Sequence, residues 1–338
     1  MFDRALNSGS VRVRSSGFLS SASVVSGGRI SISSGGKDFA TSIFAGGVEV
    51  VSAGLTSSAL VSFGGALKLS SGGLASAATI ASGGTLSILS GALAAATVLS
   101  SGGTEYDTGV GSGTMVRAGG HLRVLNHGIA SKSVISAGGF EAVSSGGVAV
   151  AATVSGGSLI ISAGAALSRG ATLAAGKVVI SGAAASGQAI KFTGSAGVLE
   201  LDNLAGFHAK ISGLTTSTQK IDLGGFAFSP SDTANWAQSG TSGTLTVTDG
   251  AKVANLTLIG TYATGNFNLA GDGHGGTFVT DPQPAAAGPR PVRAGARLVE
   301  AAAGLRGGRS GGGFATARVA AAAIAISPPL VTAAISGR

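Results

Sequence analysis

The sequence predicts an all-β protein, a right-handed parallel β-helix of about 19 residues per coil that ends in a C-terminal β cap. Three observations carry that expectation. Glycine pairs recur at alternating gaps of about eight and about eleven residues, among them Gly27-Gly28, Gly35-Gly36, Gly46-Gly47, Gly64-Gly65, Gly72-Gly73 and Gly83-Gly84. Columns of small and apolar residues keep the same beat between the glycines. The composition also suits a thin tube with little room for rings: of 338 residues 59 are glycine, only 11% are charged and 5% aromatic. An ordinary globular enzyme has more charged and aromatic residues and less glycine.

Residues 1–19 read as a lead-in. The opening MFDRALNSGSVRVRSSG lacks a continuous apolar run and does not read as a signal peptide.

Residues 20–191 are the repeats. One column of small residues runs Ser23, Thr41, Ala59, Thr79, Thr97, Thr114, Ser133, Thr153 and Thr172, and the next residue is apolar except at Ser42. A second column runs Ile30, Val48, Leu67, Leu86, Leu122, Leu159 and Val178, with apolar partners two positions on, such as Ile32, Val50 and Leu69. Apolar residues at i and i+2 share one face of a strand, so each repeat is expected to hold two short strands. Glycines at Gly28, Gly36, Gly47, Gly65, Gly73, Gly84, Gly103, Gly120, Gly139 and Gly147 are the expected structural turns, because glycine reaches positive φ without a Cβ penalty. One repeat cannot bury its apolar face alone, whereas stacked repeats form continuous ladders about 4.8 Å apart. About nine coils fit the interval, and the crossover rule makes them right-handed. TEYDTGVGSG, from Thr104 to Gly113, breaks the pattern and predicts a bulge or lateral loop.

Residues 192–282 read as the β cap. Strand patterns lie at Val198–Leu201, Lys220–Leu223, Thr244–Thr248, Asn255–Ile259 and Gly276–Thr280, and Asp249-Gly250 predicts a hairpin within TLTVTDGAKVANLTLIG. Trp236, Tyr262, Phe267 and Phe278 make this segment more aromatic than the repeats. A cap closes the open edge that the last coil otherwise presents. Residues 283–338 change to Ala, Gly, Arg and Pro and are expected to be disordered.

The formal charge of +8 sits mostly in that tail, where residues 290–338 hold seven Arg against one Glu. The repeats are nearly neutral and carry no basic stripe interleaved with aromatics, so a nucleic-acid partner is not expected. Cysteine is absent, which excludes disulfides and Cys-based zinc sites.

The consensus in RISISSGGKDFATSIFAGGVEVVSAG and ALKLSSGGLASAATIASGGTLSILSG resembles the AIDA-type repeats of autotransporter adhesin passengers over residues 17–190. The glycine pairs, the Ala/Thr-x-apolar element and the alternating gap match in order. The segment from Gly243 to Pro282 looks like a terminal module found after such repeats in large secreted bacterial proteins. The resemblance implies a non-enzymatic rod, secreted or displayed on the bacterial cell surface, that serves adhesion to a host or matrix surface, self-association or biofilm formation without a cofactor. It also implies an outer-membrane translocator. No run of alternating strands of that kind is visible in the sequence, so the chain reads as a fragment, a degraded copy or a passenger-like protein exported by another route. Under the same resemblance Ser31, Ser33, Ser70 and Ser87 are candidate glycan acceptors.

The competing expectation is a carbohydrate-active β-helix enzyme, a lyase or hydrolase, which needs clustered carboxylates. Acids in the repeats are few: Asp38, Glu49, Glu105, Asp107 and Glu141. Glu49 lies between Val48 and Val50 and is expected to face outward, stacked on Lys68; Arg123 and Glu141 are expected to pair likewise. Glu105 and Asp107, flanking Tyr106 in the irregular coil, are the best catalytic candidates, and a structural role outweighs that reading. The four histidines show no metal-ligand spacing, and the turn Asp272-Gly-His-Gly-Gly-Thr277 lacks the repetition of a calcium-binding array, so neither a catalytic nor a metal site is expected. The Ser/Thr column resembles a flat ice-binding ladder only loosely, since Ala59 interrupts it.

Overall fold

The computed structural model describes residues 5–281. The tail of 283–338 and its expected disorder lie outside the described residues. The described residues form a parallel β-solenoid of about 11 turns with ~19 residues per turn and almost no helix. At the usual spacing between strands such a stack is about 50 Å long.

Each coil holds three strands rather than the two expected. A long strand such as Arg29–Ser33 is followed by a middle strand, Lys37–Phe39, and a two-residue strand, Ser42–Ile43. The next coil repeats them at Val48–Ser52, Leu55–Ser57 and Leu60–Val61. Every strand pairs in parallel with its equivalent one coil on, as in Lys37↔Leu55, Leu55↔Leu74 and Leu74↔Leu93. The unexpected strand is the middle one: the two-residue strands coincide with the small-residue column and the long strands with the apolar column, whereas strands such as Leu74–Ser76 turn an alanine inward and leave no apolar beat.

The corners explain the glycines. Where the long strand ends, Ser34 and Gly35 both have positive φ, 45° and 81°, and Gly36 donates its N–H to Ser33 at 3.0 Å. Positive φ at two central residues is the tight turn for which Gly is favoured. The left-handed residue is therefore the first glycine of each pair, here Gly27, Gly35, Gly46, Gly64 and Gly83. The second is required for a different reason. A Cβ on Gly36, Gly47, Gly65, Gly73, Gly84, Gly103, Gly120, Gly139 or Gly147 meets a carbonyl oxygen of the preceding coil at 2.1 to 2.9 Å. Gly28, at the equivalent corner, is buried and donates to Val25 at 2.8 Å.

Inside the tube, Ile30, Leu67, Leu86, Leu122, Leu159 and Val178 form one ladder, and Ile32, Val51, Leu69, Ile88, Val124, Val143, Ile161 and Ile180 form the next. From Leu55 to Val148 the middle strands turn in small residues, Thr56, Ala75, Ala94, Gly111, Ala130 and Ala149, with Asp38 before them and Leu167 after them in the same column. The assignment of Val48 and Val50 to this interior is corrected: they face outward, and Glu49 and Val51 point in. The small-residue column divides as well. Thr41, Ala59, Thr97, Thr114 and Ser133 are buried, while Ser23, Thr79, Thr153 and Thr172 stand on the outward face one residue on. The mixed column therefore presents no flat threonine ladder.

No bulge interrupts residues 104–113. Thr104–Asp107 and Val110–Ser112 pair in register with the coils on both sides. That coil is merely shorter, since Thr104 stacks on His121 sooner than Thr85 stacks on Thr104. The lead-in is itself coiled, with Ala5 paired to Ser23 and Ser10 to Arg29. Beyond Phe192 the parallel stack continues through Gly197–Leu201 and Gln219–Leu223.

An antiparallel cap follows. Ser242–Asp249 and Lys252–Ile259 form the expected hairpin, with Asp249 paired to Lys252 around Gly250. Trp236, Tyr262 and Phe267 pack their rings at 5.2 to 5.9 Å. The cap is tied to the solenoid by Ile211↔Leu258 and Leu223↔Thr277. These pairings satisfy edge groups that the last coil otherwise exposes.

Candidate functional site: an uncharged outer face and buried acids

Outward positions of the middle strands build the most regular surface. Leu55, Leu74, Leu93, Val110, Ile129 and Val148 stack in one ladder. Ser57, Ser76, Ala95, Ser112, Ser131 and Val150 stack beside it on the same strands. Neither column holds a charge over these coils. Leu74, Leu93 and Ile129 are 43%, 36% and 37% exposed. Single exposed apolar residues are ordinary on a protein surface, whereas a contiguous uncharged row of them is a candidate interaction face.

The long strands present a more polar face. There Ser31, Val50, Lys68, Ser87, Tyr106 and Arg123 stack in order. All four candidate glycan acceptors lie on this face and are half-buried, with Ser33 and Ser70 in the adjoining ladder through Ser52. The Ser70 hydroxyl hydrogen-bonds that of Ser52.

The acids of the repeats stand inside the tube, and the expected surface ion pairs are absent among the described residues. Glu49 stacks between Ile30 and Leu67, not on Lys68; Glu141 stacks on Leu122, while Arg123 stacks on Ala142. Asp38, Glu49, Glu105, Asp107 and Glu141 are each fully buried. They form two groups. Asp38 accepts from the hydroxyls of Thr41 at 2.8 Å and Thr56 at 3.4 Å, and Glu49 adjoins it. Glu105 accepts from Thr114 at 3.0 Å, and Glu141 accepts from Ser133. Gly111 occupies the inward column otherwise filled by Ala94 and Ala130. A Cβ there would sit 2.5 Å from Asp107 Oδ2 and 2.9 Å from Glu105 Oε1, so the missing side chain makes the room the carboxyls fill.

Burial governs the ionisation of these groups, because a carboxylate loses its hydration in the tube. Glu105 and Glu141 are each pushed up to about 7 by burial, against the hydroxyls that hydrogen-bond them. Asp107 is raised well above the usual carboxylate range by burial and by the charges of Glu105 and Glu141. Glu49 is raised likewise by burial and by Asp38, and Asp38 is raised by burial. Glu49 lies beside Thr56 and Asp38, and Asp107 beside Glu105, but in the ionised form none of their oxygens meets a well-placed donor. A neutral carboxyl is a donor as well as an acceptor, so a proton held within each group satisfies oxygens that ionised pairs leave orphaned. Glu105 and Asp107 are both sealed from solvent, the opposite of the accessible position a pair of catalytic carboxylates needs.

The sequence pattern hid this because Glu49 has apolar neighbours on both sides, the arrangement expected of an outward charge on a strand. The exact coil spacing could have revealed it: Glu49 falls in line with Ile30, and Glu141 with Leu122.

No protein-family model matches the sequence, and no curated protein matches it. Among solved structures, the chain is similar to the crystal structure of the TibC-catalyzed hyper-glycosylated TibA55-350 fragment, with 24% identity. The match covers 62% of this chain and 98% of that one at a TM-score of 0.42. No helix among the described residues is long and apolar enough to cross a membrane.

Proposed function

We propose that the chain is a non-enzymatic, passenger-like adhesion rod, displayed on a bacterial surface or secreted, whose uncharged middle-strand face associates with the same face of a second copy. The observation that carries this reading is the double ladder from Leu55/Ser57 to Val148/Val150. A second rod offers the same rows at the same spacing, so side chains of one can seat between rows of the other without bringing like charges together. Each row contributes little, and affinity grows with the number of rows engaged at once. Interiorly placed acids argue against the carbohydrate-active alternative within the repeats. The AIDA-type resemblance of the repeats supports the surface or secreted location and an adhesive role.

Beads coated with the full chain test this. They are expected to cluster, and beads carrying a Leu74→Lys, Ile129→Lys double variant to stay dispersed. Equal clustering by both, or none by either, refutes self-association through this face.

A further inference from the structure

Where the last coils meet the cap, a cleft of about 560 Å³ opens between the outer face of the long strands and the turn at residues 272–276. Glu200, Asp202, Asp222 and Asp272 line it, with Lys177 as its cation. Lys177 is paired with Glu200. The neighbouring Lys220 lies over the Phe278 ring at 4.2 Å. Asp202 accepts from the Ser181 hydroxyl at 2.7 Å. Among the described residues neither Asp222 nor Asp272 forms an ion pair, and Lys177, whose charge also reaches Asp222, is engaged by Glu200.

Their geometry is specific. Asp222 sits on Gln219–Leu223 opposite Phe278, is 5% exposed, and has its Oδ1 buried with no hydrogen-bond partner. Asp272 uses Oδ1 to accept the N–H groups of His274 at 2.6 Å and Gly276 at 2.8 Å, which fixes the turn. A Cβ on Gly276 would lie 2.7 Å from Asp272 Oδ2 and 2.9 Å from Asp222 Oδ1. Two carboxylate oxygens therefore converge on a space kept open by the absence of one side chain. Asp222 is withdrawn from water while Asp272 stays at the solvent edge, and two carboxylates this close repel unless a counter-charge stands between them.

We propose that Asp222 and Asp272 bind a calcium ion beside Gly276 and so fasten the cap turn to the last coil. Oxygen-only donors select a hard cation, and calcium accepts irregular geometry with water completing its shell, whereas magnesium demands a near-ideal octahedron. No three acids or histidines among the described residues are grouped as a closed metal cage. Water must then supply most of the remaining ligands, which sets the affinity in the weak range of extracellular modules, roughly 10⁻⁴–10⁻³ M. The site departs from the expectation of no metal drawn from the sequence and is independent of the adhesive face.

Equilibrium dialysis of the full chain against about 5 mM calcium, alongside thermal melting in calcium, magnesium and chelator at matched ionic strength, tests the proposal. One bound calcium per chain and a melting midpoint several degrees higher in calcium than in magnesium or chelator are expected. Asp222→Asn should abolish both effects. Gly276→Ala keeps every charge but fills the space, and should abolish them too. No calcium retained by the wild-type chain overturns the proposal, as does an undiminished calcium shift in either variant.

Discussion

Glu105 and Glu141 put a carboxyl where the fold otherwise puts leucine, and the cost depends on pH. Their folded values of about 7 lie above the ordinary 4.5, so between those limits the folded chain holds protons that the unfolded chain has released. The contribution of these two groups to stability is therefore greatest below about pH 4.5, falls as pH rises toward 7 and levels off above it, by up to about 3 kcal/mol for each group. The melting midpoint should be higher at pH 5 than at pH 7.5, and a Glu105→Gln, Glu141→Gln variant should show a flatter profile; a midpoint that rises with pH contradicts the assignment. Glycine gives a second comparison. Gly83 has φ of 78° and no close neighbour within contact range but one backbone nitrogen at 4.0 Å, so Gly83→Ala should cost about 1–2 kcal/mol of left-handed strain. Gly84→Ala brings a Cβ to 2.3 Å from the Val61 carbonyl oxygen and should cost more, measured by urea denaturation. The glycine beat made these corners legible in the sequence, but not which glycine of a pair is left-handed and which is crowded. That distinction depends on the coil below, and a single strand of text does not contain it.

Among the strands, length decided what could be read. Long strands such as Ala66–Ser70 show two inward apolar residues and were legible, as was the cap hairpin with its two-residue turn. Strands such as Thr79–Ile80 turn in one apolar residue and show no alternation. Middle strands were the least legible, because their inward residue is alanine and their outward residue is leucine, the reverse of the usual pattern. Leu74–Ser76 and Leu93–Ala95 bury Ala75 and Ala94 and expose Leu74 and Leu93. The contrast predicts opposite outcomes on one strand. Ala94→Leu overfills a fully buried position and should destabilise by about 1–3 kcal/mol or more. Leu93→Lys, on the outer face, should change stability by no more than about 0.5 kcal/mol in the same urea titration. A larger loss at Leu93 than at Ala94 would mean that the inward and outward faces are wrongly assigned.

Stacking about 11 such coils turns a weak local feature into a surface. One exposed leucine contributes little, but six aligned rows without charge form a strip about 24 Å long at strand spacing. The acids that a sequence reading places outside, and that would interrupt a neutral surface, are inside the tube, and the cap occupies the end where the final coil would otherwise offer its edge to a neighbour. The association proposed above therefore engages the side of the solenoid and not its capped end. The most direct measurement is sedimentation velocity of the full chain over a concentration series, beside the Leu74→Lys, Ile129→Lys variant at equal stability. The wild-type sedimentation coefficient should rise with concentration and that of the variant should stay at the monomer value; a wild-type chain that remains monomeric, or a variant that associates equally well, contradicts the uncharged face as the site of self-association.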